Sequence, residues 1–178
     1  SYDRLTHSGE SAVLMDAPPG KGDDPADFIR IASYLRNLGL SAPTVKAQDL
    51  SNGFLLLEDL GDDTYARWIG NDSGLSNTLY TAATDVLLHL QTKPAPTGLP
   101  NLTALDWAEA ACFALDWYRF AATGEHIATT TFRDMLAEVL SRHADGPRAM
   151  ILRDYHAENL LWLPERTGLA RVGLLDFQ

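Results

Sequence analysis

Cysteine is nearly absent. Cys112 is the one thiol in 178 residues, so no disulfide can close within the chain. It lies in an apolar helical stretch, where a buried thiol is the expected reading rather than a nucleophile. No apolar run reaches the length of a bilayer crossing, which argues against a membrane partner. Basic residues are outnumbered, 14 Lys and Arg against 24 Asp and Glu, for a net charge of −10. Nucleic-acid binding needs clustered cations to neutralise phosphates, so that class of partner is excluded. The opening residues Ser1-Tyr2-Asp3-Arg4 lack the charged and apolar regions of a secretory signal, and a cytoplasmic location is expected. Both ends read as cuts through a longer fold: the first residues lie inside a strand, and Asp176-Phe177-Gln178 directly follows another.

Hydrophobic residues make up 46% and charged residues 21%, a globular composition. Alternating runs at 3–6 and 11–15 flank His7-Ser8-Gly9-Glu10 and predict a hairpin. Ala17-Pro18-Pro19-Gly20 and Asp23-Asp24-Pro25 predict a loop. Phe28, Ile31, Ala32, Leu35 and Leu38 recur at helical spacing, with Gly39 as the stop. Strands are expected at 44–50 and 53–57 around the turn Ser51-Asn52-Gly53. Beyond Gly61 the pattern becomes helical. Leu79, Ala82, Ala83, Val86, Leu87 and Leu90 form one stripe, and the segment 93–100 is a proline-rich break. Helices follow at 106–120 and 131–143. Strands are then expected at 149–152, 159–163 and 171–175, with the last two joined by Pro164-Glu165-Arg166-Thr167-Gly168. The expected class is α+β in two lobes, a small antiparallel β lobe over residues 1–60 and a mainly helical lobe over 61–178 carrying a late hairpin.

The chemistry concentrates in Arg153-Asp154-Tyr155-His156-Ala157-Glu158-Asn159 and, 17 positions after Asn159, in Asp176-Phe177-Gln178. Asn159 starts one strand of the predicted hairpin and Asp176 ends the other. Antiparallel pairing therefore brings them to the same end, on strands about 4.8 Å apart. Asp154 lies in the loop entering that end. Two carboxylates and a carboxamide converging on one point are hard oxygen ligands, suited to Mg²⁺.

Arg153, Asp154 and Asn159 resemble the catalytic loop of protein kinases. With His156 included, the Asp-x-His-x-x-Asn form is similar to that of the aminoglycoside phosphotransferase family, and Asp176 stands where that family has its metal-binding aspartate. The resemblance implies a protein-kinase-like fold whose C-terminal helices are missing here. It also implies ATP and Mg²⁺ as cofactors and a small-molecule hydroxyl acceptor as partner. Asp154 would orient the acceptor and take its proton, and Asn159 and Asp176 would hold the metal. His156 belongs to the loop in that family, either orienting it or facing phosphate; a hydrogen-bonded structural histidine is an equal reading. The run Gly53-Phe54-Leu55-Leu56-Leu57-Glu58-Asp59-Leu60-Gly61 resembles the kinase hinge. Leu57 would border the adenine, and the Glu58 carbonyl and Leu60 amide would bond its edge. Because the overall negative field repels a nucleotide, local cations or metal must compensate.

One departure stands out. Where kinases carry a strand lysine, Met15 or Asp16 is found, and the helix 27–38 has no glutamate to pair with it. Either another cation serves, with Arg4 on the neighbouring strand as the candidate, or transfer has been lost and a nucleotide-binding protein remains. The loop that covers phosphates is expected before Ser1. The runs at 13–19 and 54–61 together are similar to a narrower branch that phosphorylates N-acetylmuramate and N-acetylglucosamine. Aminoglycosides and other small alcohols are the alternative acceptors. Trp107, Trp117 and Tyr118 are candidates to stack on a sugar face, although such a helical stripe is more often core.

Overall fold

A computed structural model of the chain describes residues 1–18, 20 and 24–177. Pro19 and Asp23 of the expected loop, and Gln178 after the Asp-Phe pair, lie outside the described residues. The chain forms two compact units. One comprises Ser1–Pro96 with Ala149–Gln178, the other Thr97–Arg148.

The first unit opens with an antiparallel hairpin, β1 (Tyr2–His7) and β2 (Glu10–Asp16). Helix α1 (Pro25–Asn37) follows. Asp24 caps it by accepting from the Ala26 N–H at 2.9 Å, and Pro25 occupies the first helical position, where a missing N–H costs nothing. Strands β3 (Val45–Asp49) and β4 (Phe54–Glu58) complete a four-stranded sheet of order β1-β2-β4-β3. The pairs Met15↔Leu55 and Val13↔Leu57 share one face of this sheet. Met15, Leu55 and Leu57 are buried on it, and Phe28, Ile31 and Leu35 of α1 are buried as well.

After the connector come α2 (Tyr65–Asn71) and α3 (Ser76–Gln91). α2 is not among the expected helices, although Tyr65, Trp68 and Ile69 stand at i, i+3 and i+4; Tyr65 is buried, Trp68 and Ile69 are half-buried, and the Thr64 side chain caps the first turn. At the end of the chain, β5 (Leu160–Trp162) and β6 (Val172–Leu174) form a separate antiparallel pair, each shorter than the alternation suggests. Leu160, Leu161, Val172 and Leu174 are buried. The expected strand at 149–152 does not form. Met150 and Leu152 are buried and Ile151 is exposed, so the alternation is real, but no ladder partner accompanies it.

The second unit is helical. α4 (Ala104–Phe113) begins at a capping box, in which the Thr103 side chain accepts from the Asp106 N–H and the Asp106 carboxylate accepts from the Thr103 N–H. It runs into a π-helical segment, Ala114–Arg119, and a last turn, α5 (Phe120–Thr123), so the single helix expected over 106–120 is broken in pitch. α6 (Thr130–His143) packs along α4. Trp107, Trp117 and Tyr118 are 43%, 70% and 78% exposed, so the aromatic stripe is not core.

Gly53 offers a direct test of the β3–β4 turn. Its φ is +79°, and an added Cβ would stand 2.1 Å from the Ala17 carbonyl oxygen. Gly53→Ala combines left-handed strain with that overlap. It should lower stability by more than about 2 kcal/mol, a fall in Tm on the order of 5 °C or more, measured by thermal unfolding followed by circular dichroism.

Candidate active site

The β5–β6 register pairs Leu160 with Leu174, Leu161 with Gly173 and Trp162 with Val172. One further bond, from the Leu175 N–H to the Asn159 carbonyl at 3.0 Å, carries the ladder to the open end. Asn159 is thus opposite Leu175, and Asp176 is the next residue out. Asp176 has φ +49°, a conformation that a non-glycine residue holds only when its surroundings impose it. Phe177 supplies that constraint. It is buried, with its ring 5.1 Å from the Phe28 ring of α1, so the backbone turns to bury phenylalanine and leaves the aspartate in solvent.

The loop entering β5 is tied along its length. The Tyr155 N–H donates to the Arg153 carbonyl at 2.8 Å, the His156 N–H to the Asp154 carbonyl at 3.2 Å, and the Asn159 N–H to the His156 carbonyl at 2.9 Å. Arg153 is itself left-handed, φ +55°. Two anchors hold this coil to helices. The Tyr155 hydroxyl donates to the Ala83 carbonyl of α3 at 2.8 Å, and the Ala66 N–H of α2 donates to the Ala157 carbonyl at 2.9 Å. Burial, and to a smaller degree neighbouring Tyr65, pushes the Tyr155 phenol well above its ordinary pKa, so it stays a donor.

The Asn159 side chain donates its amide Nδ2 to the Asp154 carbonyl at 3.0 Å, which leaves Oδ1 as the atom free for a ligand. The His156 ring lies against the same amide, with Nε2 3.4 Å from Asn159 Nδ2, while its Nδ1 accepts from the Glu158 N–H at 3.3 Å. Its contacts are with the loop's own atoms. Asp154 and Asp176 are exposed, and among the described residues neither carboxylate has a hydrogen-bond or ion-pair partner. No group of three or more His, Cys, Asp or Glu suited to a metal occurs among the described residues. The set here is two carboxylates and one carboxamide oxygen, which fits a hard, largely hydrated cation such as Mg²⁺ better than a fully protein-ligated ion.

The hinge-like strand ends elsewhere in the same unit. Leu57 is buried and Leu60 half-buried. The Glu58 N–H donates to the Thr44 carbonyl at 2.7 Å. The Glu58 carboxylate accepts from the Thr44 N–H at 3.0 Å, the Thr44 hydroxyl at 2.7 Å and Arg166 Nη2 at 2.8 Å. Burial is the largest single influence on Glu58 and opposes its ionisation. The Thr44 bonds and then Arg166 outweigh it, so its pKa falls below the ordinary value.

Arg4 reaches the connector. Its Nε stands 2.7 Å from Asp59 Oδ2, Nη1 donates to Asp62 Oδ2 at 2.6 Å, and Nη2 donates to Asp62 Oδ1 at 2.8 Å and Asp59 Oδ1 at 3.0 Å. All three guanidinium nitrogens are therefore engaged by carboxylates, and a phosphate contact would require their release. Of the residues singled out from sequence, Asp154, His156, Asn159 and Asp176 gather at the hairpin's open end, Leu57, Glu58 and Leu60 at the end of β4, and Arg4 beside the connector. Arg166, Ser41, Thr44, Asp59 and Asp62 were missed as partners. The only signal was the acidic connector itself, which calls for a cation.

The full length of the chain, residues 1–178, matches the family model described as "Phosphotransferase enzyme family". The chain belongs to that family. Among curated proteins, the N-acetylmuramate/N-acetylglucosamine kinase of Caulobacter vibrioides is 36% identical over 217 aligned residues, covering 100% of this chain and 59% of that protein. The similarly named kinases of Pseudomonas aeruginosa and Pseudomonas putida are 33% and 32% identical, each covering 99% of this chain and 51% of theirs. The chain thus spans between about half and three-fifths of these relatives' lengths. Mixed helix and antiparallel sheet agree with the family assignment.

The site's carboxylates also set an acid limit on stability. Glu58, Asp59 and Asp62 all have lowered pKa values in the fold. For Asp59, burial opposes the shift and the Gly61 N–H and Arg4 overcome it; for Asp62 the Arg4 bond leads. A depressed folded pKa gives stability that is complete above the unfolded carboxylate range, about pH 4, and is lost as pH falls through the folded value. Urea midpoints should drop between about pH 5 and pH 3, and the Glu58→Gln variant should show a shallower dependence on pH.

Proposed function

We propose that this chain carries the nucleotide and metal sites of an ATP-dependent kinase that moves the γ-phosphate to a hydroxyl of a small molecule. Residues 1–60 would serve as the nucleotide lobe and hinge, and 61–178 as the lobe bearing the catalytic loop. The acceptor class favoured is an amino sugar of the N-acetylmuramate and N-acetylglucosamine type. The names of the relatives from Caulobacter vibrioides and Pseudomonas aeruginosa support it. The single observation that carries the phosphotransfer reading is the open end of the β5–β6 hairpin, where unpartnered Asp154 and Asp176 flank an Asn159 whose amide is already turned by the Asp154 carbonyl.

Mg²⁺ would be held by Asn159 Oδ1 and Asp176, and when bound it supplies charge neutralisation to the phosphates. Asp154 orients the acceptor hydroxyl and receives its proton as the bond to phosphorus forms. Because phosphoryl transfer has a loose transition state, positioning matters more than a strong base. His156 holds the loop through the Asn159 amide and the Glu158 N–H. Leu57 lines the adenine, and the Glu58 carbonyl and Leu60 N–H meet its edge. No helix among the described residues is long and apolar enough to cross a membrane, and use of ATP fits the cytoplasm.

Asp154→Ala should lower kcat by about 100-fold or more while nucleotide affinity stays within about two-fold. Steady-state kinetics and a nucleotide titration read the two separately, and a parallel loss of both contradicts the assigned role. An ATP-consumption assay on the complete gene product should respond to N-acetylmuramate and N-acetylglucosamine. Turnover with aminoglycosides instead redirects the acceptor, and none with any hydroxyl compound leaves a nucleotide-binding protein.

A further inference from the structure

The turn of the β5–β6 hairpin presents a side chain used by neither the catalytic loop nor the metal set. Arg166 Nη2 donates to Glu58 Oε1 at 2.8 Å across 108 residues of sequence, and Arg166 Nη1 donates to Ser41 Oγ at 2.8 Å across 125. Ser41 is 2% exposed and passes the contact on, its hydroxyl donating to the Ala170 carbonyl at 2.6 Å. The Ser41 carbonyl accepts from the Leu174 N–H at 2.8 Å, so this segment lies along β6 itself. Arg36 Nη1 stands 3.5 Å from the other Glu58 oxygen. The Arg166 side chain is 29% exposed and that of Glu58 25%, so the pair is shielded but not dry.

The hairpin thus has two functional ends. Its open end carries Asn159 and Asp176. Its turn is pinned to Glu58, the last residue of the strand that leads into the connector. A pair of three-residue strands has little rigidity of its own, so what grips the turn fixes the direction of the open end. We propose that Arg166 is a positioning residue which, through Glu58 and Ser41, keeps the metal-bearing end of the hairpin in register with the hinge strand that would contact adenine. Arginine suits this because its fork gives two bonds in fixed directions to two separate acceptors, which a lysine ammonium on a flexible stem does not.

The inference rests on the nucleotide-and-metal reading above, and the test separates the two. The readout is nucleotide affinity, measured by titrating a fluorescent ATP analogue with and without Mg²⁺, beside thermal unfolding of the same samples. The wild-type protein should bind more tightly with Mg²⁺; absence of any Mg²⁺-linked gain overturns the underlying reading. In Arg166→Ala the Mg²⁺-linked gain should shrink by about five-fold or more, with metal-free affinity within about two-fold. Arg166→Lys keeps the charge but loses one bond, and it should shrink the gain as well. It also serves as the variant to read if Arg166→Ala does not fold. A lowered Tm with an unchanged Mg²⁺-linked gain makes Arg166 a stability staple and overturns the inference.

Discussion

The open end of a short hairpin gathers Asp154, Asn159 and Asp176, and its geometry depends on the bond from the Leu175 N–H to the Asn159 carbonyl. That bond extends a ladder of only three residue pairs by one step. It fixes Asn159 opposite Leu175 and leaves Asp176 the first residue beyond pairing. Isolated two-stranded pairs are marginal in water, so the ladder needs external support. It comes from the Leu174 N–H bonded to the Ser41 carbonyl, the Trp162 N–H bonded to the Asp63 carbonyl, and buried Leu160, Leu161 and Leu174. Gly173 is part of the same support. An added Cβ there would meet Leu161 Cβ at 2.9 Å, so the pair closes this tightly only with glycine.

Strain and burial cooperate at the two flanks of that end. Arg153 and Asp176 are two of the three non-glycine residues with positive φ among the described residues. Each such conformation costs on the order of 1 kcal/mol or more and persists only under constraint. Buried Leu152 precedes Arg153 and buried Phe177 follows Asp176. The apolar neighbours fix the backbone, and the polar side chains are turned outward as a consequence. Asp154 and Asp176 thereby stay exposed in a region otherwise held by its core.

Charge in the connector is met chiefly by Arg4 and Arg166, with Arg36 3.5 Å from Glu58. A chain of net charge −10 that concentrates Glu58, Asp59, Asp62 and Asp63 in one connector would repel itself there. Arg4 takes Asp59 and Asp62 from the side of β1, and Arg166 takes Glu58 from the side of the hairpin turn. The connector is thus clamped between the sheet and the hairpin. A clamp of this kind leaves no spare nitrogen on Arg4.

Local rules made the four-stranded sheet, α1, α3, α6 and the late hairpin readable in sequence, because alternation, helical spacing, the Asp24-Pro25 start and the Gly39 stop act within a few residues. The spacing of Asp154, Asn159 and Asp176 was readable for the same reason, since hairpin pairing converts sequence order into proximity. The helix at 65–71 is only seven residues long, so Tyr65, Trp68 and Ile69 make a stripe too short to stand out, and the change of pitch at 114–119 leaves no periodic trace. The failure of 149–152 to become a strand depended on the lack of a neighbour to pair with. Arg166 looked like a polar turn residue, and its role became visible only when folding brought it to Glu58. Contacts that span more than a hundred residues obey no local spacing, so the tertiary structure alone decided which cation met which carboxylate.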